Sequence, residues 1–135
     1  PHPDVITAWH NLVQGRDMAA LDALLADEVV FHSPVVHTPQ RGKTITLQYL
    51  RGAMLVLNNA SFRYEREIVG AHDAVLEFST TIDGIQINGV DLIRWNDAGQ
   101  ITDFKVMVRP LKAVNLLHQK MGEMLQRLQQ GQQQQ

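Results

Sequence analysis

The order of hydrophobic patterns predicts an α+β fold, with helices packed on one face of a strongly bent antiparallel sheet. Three observations carry that prediction. Apolar residues fall at helical spacing through residues 5–25, and again through residues 43–57 and 111–128. From residue 62 to residue 109 the spacing changes to alternation, the period of a half-buried strand. Clusters of turn formers, Gly70-Ala71-His72-Asp73, Asp83-Gly84 and Asn96-Asp97-Ala98-Gly99, cut that region into strands joined directly to one another, and therefore antiparallel. A sheet bent in this way encloses a pocket on its concave side.

Asp4 is a suitable N-cap for a helix through about Gln14, whose apolar positions Val5, Ala8, Trp9, Leu12 and Val13 share a face. Gly15-Arg16 breaks it, and Asp17 caps a second helix with Met18, Leu21, Leu24 and Leu25 inward, stopping near Asp27. Val29 to Ser33 is a short strand ended by Pro34, and Val35 to Gly42 has the Pro and Gly of an exposed loop. Lys43 to about Leu57 predicts a third helix, closed by Asn58-Asn59. Phe62 to Val69 follows as a strand with Phe62, Tyr64 and Ile68 as inner groups, then Ala74 to Ile82 with Leu76, Phe78 and Ile82 on one side. Asp83-Gly84 suits a type I′ turn into the longest hairpin, Ile85 to Pro110. In its second arm Phe104, Val106 and Val108 face one way, and Pro110 ends the ladder. A last helix runs from Leu111 to about Leu128 with the stripe Val114, Leu117, Met121, Met124, Leu125 and Leu128. One domain over residues 1–128 and a disordered Gln-rich tail over 129–135 are expected.

At 135 residues the chain is long enough for one core and too short for two ordinary domains. With 12 basic against 14 acidic residues and a formal net charge of −2, nothing points to nucleic acid or an anionic membrane as a partner. The absence of Cys excludes disulfides, thiolate metal sites and a Cys nucleophile. No apolar run approaches the roughly 20 residues of a membrane span. The opening PHPDVITAWH lacks the basic and apolar regions of a signal peptide, so a cytoplasmic location is expected.

Asp91 asks for an explanation. Alternation places it on the same face as Ile85, Ile87, Ile93 and Trp95, where an ionised, dry carboxylate costs several kcal/mol. It must be hydrogen-bonded, paired, or kept neutral by a raised pKa, unless the strand is wet at that point. Around it, Tyr49 from the third helix and Tyr64 from its strand are placed to aim hydroxyls at a pocket, and the loop residue His37 can tip into its mouth. His32 should point opposite to Phe31 and Ser33. His10, His72 and His118 read as surface or interface groups, and Glu77, Arg94, Lys105 and Arg109 as cross-strand pairs on the outer face. No His pair has metal-ligand spacing with an acidic third ligand, so no metal is expected.

Two segments, Leu25-Ala26-Asp27-Glu28-Val29-Val30-Phe31-His32-Ser33-Pro34 with Arg41-Gly42, and Gly89-Val90-Asp91-Leu92-Ile93-Arg94-Trp95 with Asp97-Ala98-Gly99-Gln100-Ile101, resemble the nuclear transport factor two-like superfamily. They are most similar to its bacterial SnoaL-like and ketosteroid-isomerase-like members, and the resemblance runs from about Val5 to Leu111. It implies a cystatin-like cone, with N-terminal helices on the concave face of the sheet, a deep apolar pocket and a homodimer through the sheet. By that resemblance Asp91 stands where a ketosteroid isomerase has its protonated oxyanion-hole aspartic acid. Ser33 falls at the general base and Trp9 roughly at the oxyanion tyrosine. A serine cannot take a proton from carbon without a base beside it, and an indole lacks a phenol's acidity, which argues against steroid isomerisation. The Asp-Arg-Asp set of limonene epoxide hydrolases is absent too: the corresponding strands carry Leu76-Glu77-Phe78-Ser79 and Phe104-Lys105-Val106-Met107.

The expectation is therefore a SnoaL-like protein that binds a small apolar or aromatic molecule, with no cofactor. Asp91 is the candidate catalytic residue, for isomerisation, cyclisation or dehydration, and Trp9, Phe31, Ser33, Tyr49, Phe104 and Val106 are the candidate substrate-binding residues. The alternative is a non-catalytic binding or assembly module in which Asp91 is structural. An enzyme should bring Asp91 within hydrogen-bond reach of another polar group in the pocket.

Overall fold

The computed structural model describes residues 4–133. Helices α1 (Asp4–Gly15) and α2 (Met18–Leu24) precede strand β1 (Leu25–His32), a two-residue strand β2 (Gln40–Arg41) and helix α3 (Lys43–Leu57). Strands β3 (Arg63–Val69), β4 (Asp73–Ile82), β5 (Ile85–Trp95) and β6 (Ile101–Arg109) then form the meander, and α4 (Leu111–Gln133) closes the chain. The curved six-stranded sheet has the order β2-β1-β6-β5-β4-β3. The expected antiparallel meander is present, and β1 joins it in parallel beside β6, a pairing that a pattern of local turns does not reveal.

Local chemistry explains most boundaries. The Asp17 side chain accepts from the Ala20 N–H at 3.1 Å and caps α2. The helix ends at Leu24, not near Asp27, because Leu25 is already extended and pairs with Ile101 as the first residue of β1. Leu25 and Ala26 are buried, so the strand starts well before Val29. Asp27-Glu28 falls in an irregular stretch of the ladder where both side chains reach solvent. The Asp83-Gly84 turn has φ of 52° and 76°, both positive, as a type I′ hairpin requires. The Asn96 side chain accepts from the Gln100 N–H at 3.0 Å and fastens the turn at Asn96 to Gly99.

One strand departs from the expected alternation. Tyr64 pairs with Phe78 and Glu67 with Leu76, so β3 has one residue more than β4 over that stretch. This bulge reverses the faces beyond it: Ile68, expected inside, is 65% exposed, while Glu67 turns inward. The core lies between the concave face and the helices, with Ile6, Leu21, Leu76, Phe78, Ile93 and Phe104 nearly inaccessible. On α4, Ala113 and Leu117 are buried, and Met121 lies over Gly52 of α3, where a β-carbon would come within 3.1 Å of its methyl. The helix continues past Leu128 to Gln133, into the segment expected to be disordered. Residues 1–3 and 134–135 lie outside the described residues.

Candidate functional site

The concave face, α1, α3 and α4 surround a cavity of about 200 Å³. Its lining takes all four Phe, both Tyr and one of the two Trp of the chain, that is Phe31, Phe62, Phe78, Phe104, Tyr49, Tyr64 and Trp9. The rings pack in two groups. Tyr49 stacks on Phe31 at 5.3 Å, Phe31 on Phe104 at 6.2 Å, and Trp9 tilts against Phe104 at 5.0 Å. Phe62 stacks on Phe78 at 5.5 Å and meets Tyr64 edge-on at 5.2 Å. The exposed residues Val36, His118 and Gly122 mark the rim.

Asp91 lies on this lining with 6% of its surface exposed, centrally in β5, opposite Leu76 of β4 and Val106 of β6. The Tyr64 hydroxyl donates to Asp91 Oδ2 at 3.0 Å and itself accepts from Trp9 Nε1 at 2.9 Å. The other Asp91 carboxyl oxygen makes no hydrogen bond among the described residues. Burial pushes the Asp91 pKa up to about 7, with the Tyr64 hydrogen bond working in the opposite direction. Burial, and then the adjacent Asp91, raises Tyr64 well above the ordinary phenol value, so its hydroxyl keeps its proton. Behind Tyr64, the His10 ring meets it edge-on at 5.1 Å, and His10 Nε2 lies 2.6 Å from Glu67 Oε1.

Trp9, Phe31, Ser33, Tyr49, Phe104 and Val106 all reach the same cavity as Asp91. Ser33 Oγ accepts from the backbone N–H groups of Val35 and Val36 at 3.1 and 3.3 Å, which fixes the turn after β1 and leaves its own proton for another acceptor. The Tyr49 hydroxyl has no hydrogen-bond partner among the described residues. His37 is exposed on its loop and does not reach the lining. His118 is exposed, as expected, and stands at the rim of the cavity. The weight of Tyr64 was not visible in its strand pattern, which ranked it equal to Tyr49. The closeness of β3 to α1 brings its hydroxyl between Trp9 and Asp91.

The outer face carries the polar pairs. His32 Nε2 is 3.0 Å from Asp103 Oδ1, Arg66 Nε is 3.5 Å from Glu77, and Arg109 Nε donates to Asn88 at 2.9 Å. Among the described residues no group of three or more His, Asp or Glu could hold a metal ion.

The model of the SnoaL-like domain matches residues 6–104, a span that holds every one of these lining groups except Val106 and those of α4. The chain belongs to the SnoaL-like domain family. Solved structures with this fold include a steroid delta-isomerase from Pseudomonas aeruginosa, 33% identical, covering 97% of this chain and 96% of its own, with a TM-score of 0.81. An uncharacterised bacterial protein with a cystatin-like fold from Silicibacter pomeroyi is 32% identical over 89% of this chain and 84% of its own, at 0.82. A nuclear transport factor two-like protein of unknown function from Mesorhizobium loti shares the fold at 24% identity, over 81% of this chain and 98% of its own, at 0.68. A comparison with curated proteins finds no match.

Proposed function

We propose that this SnoaL-like protein is a cytoplasmic enzyme that binds a small apolar or aromatic molecule in its cavity and moves a proton on it through Asp91. The observation that carries the reading is the Asp91 carboxyl itself: one oxygen held by Tyr64, the other open to an apolar cavity, and a pKa of about 7. A carboxyl poised at neutrality exists in both forms, so one group can take a proton from a substrate and return it elsewhere, typically worth about 10²- to 10⁴-fold in rate. In an isomerisation, the carboxylate would remove a proton from the carbon beside a carbonyl, the electron pair would move onto the carbonyl oxygen, and the acid so formed would protonate the distant carbon. The Ser33 and Tyr49 hydroxyls, both with a proton to give, suit the substrate oxygen. Cyclisation and dehydration need the same exchange.

The similarity to a steroid delta-isomerase supports the class of proton shift. Ser33 and Trp9 argue for another substrate. The reading includes a homodimer through the outer face of the sheet, where Ile68 and Met107 are 65% and 54% exposed.

Carboxyl-labelled NMR of Asp91, titrated with and without 2-naphthol, is the direct test. A midpoint near 7 that moves when the phenol binds is expected, together with conversion of 3-cyclohexenone to its conjugated isomer that Asp91→Asn lowers at least 10²-fold. A midpoint in the ordinary carboxylate range, unmoved by the phenol, would make Asp91 structural and leave a binding module.

A further inference from the structure

The cavity lining holds one acidic side chain, Asp91, and no Lys or Arg, and its one other group able to carry charge near neutrality, His118, stands exposed at the rim. The remaining wall is mostly apolar and includes seven aromatic rings, whose faces carry partial negative charge. We infer that the ligand class this cavity selects is a small hydrophobic amine, tertiary or quaternary, whose cationic nitrogen is met by the open Asp91 oxygen and by the faces of the surrounding rings.

Two other ligand classes fit this lining less well. An anion entering would meet a carboxylate and aromatic faces with no cation to offset them. A neutral hydrocarbon would leave the open carboxyl oxygen without a partner, a costly arrangement in an apolar site. An ammonium satisfies both features, since a carboxylate and aromatic faces each attract a desolvated cation. A tertiary amine need not enter as a cation. The uncharged base enters, the Asp91 O–H gives its proton to nitrogen, and the resulting carboxylate and ammonium remain paired in place, so no isolated charge crosses the apolar mouth. Trp9 and Tyr64 stay as they are through this transfer, with Tyr64 donating to the carboxylate it already touches. This inference rests on the cavity being the ligand site, as proposed above, and does not require the reaction.

Benzyltrimethylammonium and its uncharged carbon isostere neopentylbenzene are the probes, measured by calorimetry and by NMR shifts of the cavity methyls. The cation is expected to bind at least tenfold tighter than the isostere at pH 8. Its affinity should rise about tenfold from pH 6 to pH 8 as Asp91 ionises, given its pKa of about 7. The other titratable groups on the lining are Tyr49, Tyr64 and His118, with His10 and Glu67 behind Tyr64. The pH dependence should therefore persist in His118→Gln. Asp91→Asn should lose the preference for the cation while still binding neopentylbenzene, which shows that the variant is folded and its cavity intact. Equal binding of cation and isostere, or an Asp91→Asn variant that keeps the preference, overturns the inference and leaves the proton-transfer reading standing if 2-naphthol binds. Failure of all three probes to bind overturns both.

Discussion

In the unfolded chain the Asp91 carboxyl titrates in the ordinary carboxylate range, and in the folded protein at about 7, so between those values the native state holds the extra proton. The contribution of this group to stability is therefore complete in acid and falls as pH rises through about 7, by on the order of 4 kcal/mol at most. Asp91→Asn keeps an oxygen for Tyr64 to donate to and removes the titration. Thermal melts should place this variant several degrees above the parent at pH 8.5, with the gap narrowing steadily toward pH 4. A gap that does not change with pH would contradict the burial argument. Tyr64→Phe acts in the other direction. It removes the hydrogen bond that holds the Asp91 pKa down, so the carboxyl midpoint in NMR should move above 7. It also strands the Trp9 N–H, which should cost about 1–3 kcal/mol in urea unfolding.

Strand β5 reaches the floor of the cavity because of what it lacks. Gly89 is two residues before Asp91 on the same inward face, directly opposite Phe78 of β4 and Val108 of β6. A β-carbon there would lie 2.6 Å from Phe78 Cζ and 2.7 Å from the Met107 carbonyl oxygen, and the second of these is backbone that cannot swing away. Gly89→Ala should therefore destabilise by about 1–3 kcal/mol or more, from overpacking, and shift the Phe78 ring signals. A variant as stable as the parent would mean that β5 and β6 separate easily at this point. The bulge in β3 is the other device at this scale. By inserting one residue it sends Glu67 toward His10 and Ile68 to the outer face, leaving Tyr64 as the last inward aromatic before the break.

For the molecule as a whole, the two faces of the sheet divide the work. The concave face is closed by α1, α3 and α4 around the cavity, and the outer face shows Ile68 and Met107 among charged and polar pairs. With a homodimer through that face, sedimentation should give twice the mass of one chain, and Ile68→Lys with Met107→Lys should return it to one while leaving 2-naphthol binding unchanged. A parent that sediments as one chain at high concentration would rule the dimer out.

The alternation of Ile85 to Pro110, the three turn clusters, Asp83-Gly84 among them, and the cap at Asp17 are local properties, and they set the meander, the helices and the inward face of Asp91 without reference to any tertiary contact. Phe31, Tyr49, Asp91, Phe104 and Val106 were legible as inward groups because a strand or helix face is set by residue spacing, Trp9 and Ser33 were marked by the resemblance to ketosteroid isomerases, and all seven line the one cavity. The early start of β1 and the outward turn of Ile68 were not legible, because a parallel partner far along the chain and a one-residue bulge leave no periodic signal. The state of Asp91 was decided only in three dimensions. Alternation put the carboxyl inside, but whether it would be paired, wet or neutral depended on which side chains three other elements bring within 3 Å of it. The answer, a single tyrosine hydroxyl on one oxygen and an apolar cavity at the other, is a property of packing rather than of sequence.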